Sequence, residues 1–96
     1  MDFEWDAAKA EANRERHGIS FDEVTELFTS NVDYLEIYDA EHSRDEDRFI
    51  AIGPVRRGLV VVVYTERHED TVRIISARRA TTSEAQFFRR YIGEET

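Results

Sequence analysis

Arginines cluster in the second half of this chain. Arg67, Arg73, Arg78 and Arg79 lie in one stretch, and a planar guanidinium fork matches the oxygens of a phosphate. One chemistry open to arginines that face a phosphate is the cutting of RNA without a metal, which needs three functions. A base takes the 2′-hydroxyl proton, cations face the charge building on phosphorus, and an acid protonates the leaving 5′-oxygen. Arginines suit the second task. His17 is a candidate acid or base, because histidine changes charge near neutral pH. It also precedes Gly18 at an expected helix end, where capping and the helix dipole would account for it. Glu66 is a candidate base beside Arg67, although a strand carboxylate more commonly pairs an arginine. Arg73 has the same structural alternative. The catalytic candidates are therefore Arg67, Arg78, Arg73, His17 and Glu66.

Residues that could contact RNA without reacting are Lys9, Arg79, Tyr64 and Tyr91. Lys9 is the only lysine. It shares a helix face with Asn13 and His17, which follow at helical spacing, and that face could meet RNA or the sheet. A tyrosine ring can stack on a base or join the core. Phe3, Trp5, Phe21 and Phe28 read as core. There is no cysteine, no histidine spacing typical of zinc, no glycine-rich phosphate loop and no Ser/His/Asp arrangement in a known context. No metal and no cofactor are expected.

The elements that must position these residues are legible from caps and periodicity. Asp6 is a good N-cap for a helix over 7–16, which the alanines favour and Gly18 ends. Ser20 and Glu23 form a capping box for a second helix carrying Phe21, Val24, Leu27 and Phe28 on one face. Strands are expected over 34–38, 48–53, 59–67 and 71–79, with a charged loop over 39–47 and turns over 54–58 and 68–70. The four consecutive valines from Val60 suit a strand buried on both faces. Thr81 and Glu84 form a second capping box, opening a helix with Ala85, Phe88, Tyr91 and Ile92 as its apolar stripe. The sum is an α+β domain with two N-terminal helices, about four antiparallel strands and a C-terminal helix.

That hairpin has a consequence for the arginines. If the last two strands pair through the 68–70 turn, Arg67 lies near the turn and Arg78 and Arg79 at the opposite end. Arg67 with Arg73 is then the better local pair. Strict alternation puts Arg73, Ile75, Ala77 and Arg79 on one face, and Val72, Ile74, Ser76 and Arg78 on the other.

Ninety-six residues form one domain. Hydrophobic residues are 41% and charged residues 35% of the chain, a globular balance. The net charge of -8 is unevenly spread. Residues 1–48 hold 5 Lys/Arg against 15 Asp/Glu, and residues 49–96 hold 8 Arg against 6 acids. A phosphate partner would find its counter-charge only in the second half, while the acidic front could face a basic protein. The N-terminus is acidic and lacks the apolar run of a signal peptide. The longest apolar run, from Leu59 to Tyr64, is too short to span a bilayer. A cytoplasmic protein without a membrane role is expected, and the missing cysteines suit a reducing compartment.

Several unusual stretches occur in one order: Phe3-Glu4-Trp5-Asp6, Lys9, Asn13, His17-Gly18-Ile19-Ser20-Phe21, Arg48, Ile52-Gly53, Val63-Tyr64-Thr65-Glu66-Arg67, and Arg73-Ile74-Ile75-Ser76-Ala77-Arg78-Arg79-Ala80-Thr81, with Glu84 and Tyr91 beyond. This pattern resembles the BrnT family of type II toxins over nearly the whole chain. Where members often carry lysine, this chain has Arg16 and Arg79, which keep the charge. The resemblance implies a RelE-like fold and a ribonuclease toxin that blocks translation and growth. It further implies neutralisation by a BrnA-like ribbon-helix-helix antitoxin, in a heterotetramer of two toxins and two antitoxins. That complex would bind operator DNA through the antitoxin and repress its own operon. The acidic front and the replaced lysines motivate a second reading, a catalytically inactive antitoxin-binding co-repressor.

Overall fold

The computed structural model describes residues 1–68 and 70–93; Glu69, in the expected turn, lies outside them. In chain order the elements are β1 (Asp2–Glu4), α1 (Ala7–His17), α2 (Phe21–Val24), α3 (Glu26–Thr29), β2 (Leu35–Tyr38), a one-turn 3-10 helix (Ala40–His42), β3 (Arg48–Val55), β4 (Gly58–Arg67), β5 (Thr71–Arg79) and α4 (Thr82–Ile92). The described strands form one five-stranded sheet in the order β1-β5-β4-β3-β2. The α+β class holds.

The caps form as their chemistry dictates. Asp6 accepts a hydrogen bond from the Lys9 N–H, and Gly18 closes α1 at φ 70°. Ser20 with Glu23 and Thr81 with Glu84 both complete their capping boxes. The second expected helix breaks in two at Thr25, whose N–H and hydroxyl both bond the Asp22 carbonyl. This tightened turn interrupts the α pattern.

Three features of the sheet differ from expectation. First, β1 adds a strand parallel to β5, so the sheet is mixed rather than antiparallel. Three residues are too few for alternation to register, and the partner lies near the other end of the chain. Second, β3 runs through Pro54 to Val55, leaving only Arg56 and Arg57 in the turn. Proline is tolerated there because β2 pairs β3 only up to Ile52, so that end of β3 is an edge. Third, the β4–β5 register shifts between Val63 and Tyr64. Val63 faces Ser76 and Tyr64 faces Ile74, so Ile75 is the extra residue of a bulge.

Two apolar clusters hold the sheet. On one face Ile19, Phe21, Val24 and Leu27 pack against Val60, Val62, Tyr64, Val72, Ile74 and Ala77. Gly53 allows the close approach here, since a Cβ on it would meet Leu27 Cδ1 at 2.5 Å and Tyr34 Cβ at 2.7 Å. On the other face Phe88 of α4 packs on Leu35, Ile52 and Val61. Helix α4 covers only that end; nearer the β4–β5 turn the loop over 43–47 closes on buried Thr65, while Arg67 and Arg73 stay part-exposed.

Beyond Arg73, no described strand lies on the outer side of β5, and α1 takes that place. Buried Asn13 donates to the Ala77 carbonyl at 2.8 Å, accepts from the Ala77 N–H at 3.1 Å, and donates to the Ile19 carbonyl at 3.2 Å. Its amide thus pairs the edge of β5 as a neighbouring strand would.

Candidate functional site

The bulge decides which arginines meet. Before Ile75, Val72 and Ile74 point into the α1–α3 core; after it, Ala77 does. Arg73 and Arg78 therefore share the opposite face, which unbroken alternation would have forbidden. Paired residues project to the same side of a sheet. Glu4, Arg73, Thr65 and Arg48 consequently form one row across β1, β5, β4 and β3. Thr71 and Arg67 lie in the next row toward the turn.

The open end of this face is charged. Glu4 Oε1 lies 3.5 Å from both Arg67 Nε and Arg73 Nη1. Arg67 Nη2 is also 4.0 Å from Glu46 Oε1. Glu46 belongs to the 43–47 loop, which the Thr65 hydroxyl fixes by donating to the Asp47 carbonyl at 2.6 Å. Arg48 contributes a buried Nε that lacks a hydrogen-bond partner among the described residues. Three guanidinium groups thus stand on one face against two carboxylates; those of Arg67 and Arg73, 48% and 30% exposed, can reach a ligand, whereas the Arg48 Nε is buried.

Glu4 reaches this place through its neighbours. Phe3 and Trp5, on either side, turn into the core, where Phe3 packs on Phe28 and Trp5 meets Phe21 edge-on, both at 5.9 Å between ring centroids. Alternation then turns Glu4 outward toward the arginines.

The other expected site residues are scattered. Arg78 makes a bidentate pair with Glu84 at 2.7 and 2.8 Å. The Arg78 hydrogen bonds hold the Glu84 carboxyl well below the usual range, at about 2, with the Thr81 N–H also contributing. Arg78 thereby ties α4 to β5, at the far end from Arg67. Arg79 is exposed and donates to the Arg57 carbonyl at 3.3 Å. Lys9, Arg16 and His17 line an open groove of about 630 Å³ between α1 and the outer edge of β5, with Asn13, Ile75 and Ser76. The shared helix face of Lys9, Asn13 and His17 thus exists, with Asn13 occupied by the sheet edge.

Two residues lie where their proposed chemistry has no access to the arginines. Glu66 pairs with Val72, so it projects to the α1–α3 side, opposite Arg67. Its charge and that of Glu36 help raise the Tyr34 phenol, after burial as the main cause. Tyr64 is 2% exposed and sits in the core. Its hydroxyl donates to Glu36, and burial above all raises its pKa. No ring face is left for a base. Tyr91, by contrast, is 57% exposed on α4, beside exposed Phe87.

Residue-by-residue reasoning singled out neither Glu4 nor Arg48. Both stand in the ordered stretches quoted above, but only strand pairing brings them to Arg67 and Arg73. Asp39, Glu41 and His42 could each offer one ligand atom to a cation, all within 4.8 Å of one another. Glu41 and His42 are exposed, and the His42–Asp39 pair at 2.9 Å accounts for the contact. No described helix is long and apolar enough to cross a membrane.

Comparison with known proteins gives the context. Residues 5–84 match the family described as "Ribonuclease toxin, BrnT, of type II toxin-antitoxin system". Among solved structures, the crystal structure of the Brucella abortus ribonuclease toxin BrnT is similar, with a TM-score of 0.65 at 23% identity, covering 85% of this chain and 99% of that one. No curated protein matches. That likeness concerns the fold, whereas the family match extends over most of the chain, and the chain therefore belongs to the BrnT family of ribonuclease toxins of type II toxin-antitoxin systems.

Proposed function

We propose that this toxin cuts RNA without a metal, by attack of the ribose 2′-hydroxyl on the adjacent phosphate, and so halts translation and growth in the cytoplasm. The observation that carries the reading is the open sheet face on which Arg48, Arg67 and Arg73 stand together. Arg67 and Arg73 contact the scissile phosphate and steady its developing charge. Lys9 and His17 in the neighbouring groove, with Arg79 and Tyr91 on the periphery, receive the flanking nucleotides. Arg78 acts by holding α4. The chain pairs with a BrnA-like ribbon-helix-helix antitoxin in a heterotetramer that binds operator DNA through the antitoxin. The architecture, an antiparallel meander of β2 to β5 with α1–α3 on one face and α4 on the other, is of the RelE-like kind.

The test is expression of the chain alone beside an Arg67→Ala/Arg73→Ala version, with growth and bulk RNA integrity followed. The expected outcome is arrest with RNA decay from the first and neither from the second, both accumulating folded. Purified chain should cut RNA equally well in excess EDTA. Unimpaired growth from both would favour the inactive co-repressor, a reading that the acidic front half supports.

A further inference from the structure

Arginines cannot take a proton from the 2′-hydroxyl, because they stay protonated throughout the accessible pH range. The base must be another group on the same face. Glu66 faces the other side of the sheet. His17 lies in the groove along α1, whose lining includes neither Arg67 nor Arg73. Two described carboxylates stand against the arginines of the open face: Glu4, shared by Arg67 and Arg73, and Glu46, at 4.0 Å from Arg67 alone.

The two carboxylate–arginine arrangements on this face of β5 differ in a way that matters. Glu84 is locked by two hydrogen bonds from Arg78 at 2.7 and 2.8 Å. Glu4 is approached by two arginines at 3.5 Å, and neither contact is a hydrogen bond. Its side chain is 40% exposed. It is oriented by charge yet free to accept a hydrogen bond from an incoming hydroxyl. A phosphate drawn to Arg67 and Arg73 would arrive beside this carboxylate, with the adjoining ribose in reach.

We infer that Glu4 is the general base of the cleavage reaction, held between the two arginines that grip the scissile phosphate. The inference rests on the RNA-cleaving reading above and adds a residue just outside the family-matched stretch. The Glu4 carboxylate takes the 2′-hydroxyl proton. The 2′-oxygen bonds to phosphorus, the bond from phosphorus to the 5′-oxygen breaks, that oxygen takes a proton from water, and the hydroxide left behind recovers the proton from the Glu4 carboxyl. The products are a 2′,3′-cyclic phosphate end and a 5′-hydroxyl end. The groups facing Glu4 are Arg67 from β4, Arg73 from β5 and, through Arg67, Glu46 from the 43–47 loop; Asp2 is its neighbour on β1.

The experiment compares purified wild type, Glu4→Gln and Glu4→Asp on a short fluorescent RNA in excess EDTA, with circular dichroism as the check on folding. Glu4→Gln should lower kcat by about 100-fold or more, the usual contribution of a general base, with KM changed by less than about threefold. Wild-type kcat/KM should fall on acidification, and that limb should vanish in Glu4→Gln. Glu4→Asp should keep the limb at a reduced rate. A merely structural Glu4 would leave the pH profile unchanged. Should Glu4→Gln not fold, Glu4→Ala decides: a slowed rate restored by added formate, a small carboxylate that can enter the vacated space, supports the inference, and a rate that formate does not move overturns it. An active wild type matched by folded Glu4→Gln overturns the inference alone. A wild type that leaves RNA intact overturns it together with the cleavage reading.

Discussion

Arg78 and Arg67 differ by what stands opposite each. Arg78 commits both arms of its guanidinium to Glu84, whose carboxylate also accepts from the Thr81 N–H and so completes the start of α4. Arg67 meets Glu4 and Glu46 only at 3.5 and 4.0 Å. The first pair therefore ties α4 to β5, while the second leaves Arg67 the unspent donors that the proposed phosphate contact needs. The folded-state pKa of Glu84 is lowered from 4.5 to about 2. A lowered carboxyl contributes stability above its unfolded pKa and loses it as pH falls through the folded value. Glu84→Gln keeps a side chain able to cap α4 while removing the charge. In urea unfolding it should be less stable than wild type at pH 7 by about 1 kcal/mol, a charged hydrogen-bond loss discounted for partial exposure. The difference should shrink between pH 4.5 and 2 and be gone below.

At the scale of elements, contacts across the sheet decide more than local propensity. Gly53 sits mid-strand, where glycine is poor for β structure, because α3 and Tyr34 press directly against it. Gly53→Ala forces a methyl against Leu27 Cδ1, which can turn aside, and against Tyr34 Cβ, which is fixed to its backbone, and should destabilise the fold by about 1–3 kcal/mol through overpacking, read as a lowered urea midpoint at unchanged slope. The Ile75 bulge is the other decisive contact. Ile-Ile-Ser reads as an ordinary strand, and nothing in it marks the extra residue. Only the partner β4, with one residue fewer in that span, creates the bulge. Its effect is large, since it returns Arg73 and Arg78 to one face while keeping Val72, Ile74 and Ala77 in the core.

For the whole molecule, the asymmetry of charge outweighs the net value. A protein at -8 repels a polyanion at long range, and its arginine face must overcome that locally. If Arg48, Arg67 and Arg73 each neutralise one phosphate, the affinity for single-stranded RNA should fall with salt at a log–log slope of about -2. Fluorescence anisotropy with an uncleavable 2′-deoxy oligonucleotide over a salt series would measure it. A slope near zero would show that the arginines hold no phosphate.

The sequence by itself determined where α1, α2 and α4 begin, where α1 ends, and most of the strands, because caps and alternation are local; the break at Thr25 had no such signal. Asp6, Gly18, Ser20 with Glu23, and Thr81 with Glu84 act on neighbours within one turn. Arg67 and Arg73 as the local pair likewise followed from one tight hairpin. Tertiary structure alone decided the rest. β1 forms only because β5 offers an edge, and it delivers Glu4 to arginines more than sixty residues away. Glu66, beside Arg67 in sequence, faces the other way, since successive strand residues point to opposite sides. Arg48 joins the face through β4, and Tyr64 leaves it for the core. Side-chain type reports what chemistry a residue can do, but which groups meet is set by pairing across the sheet, a long-range property that no local pattern encodes.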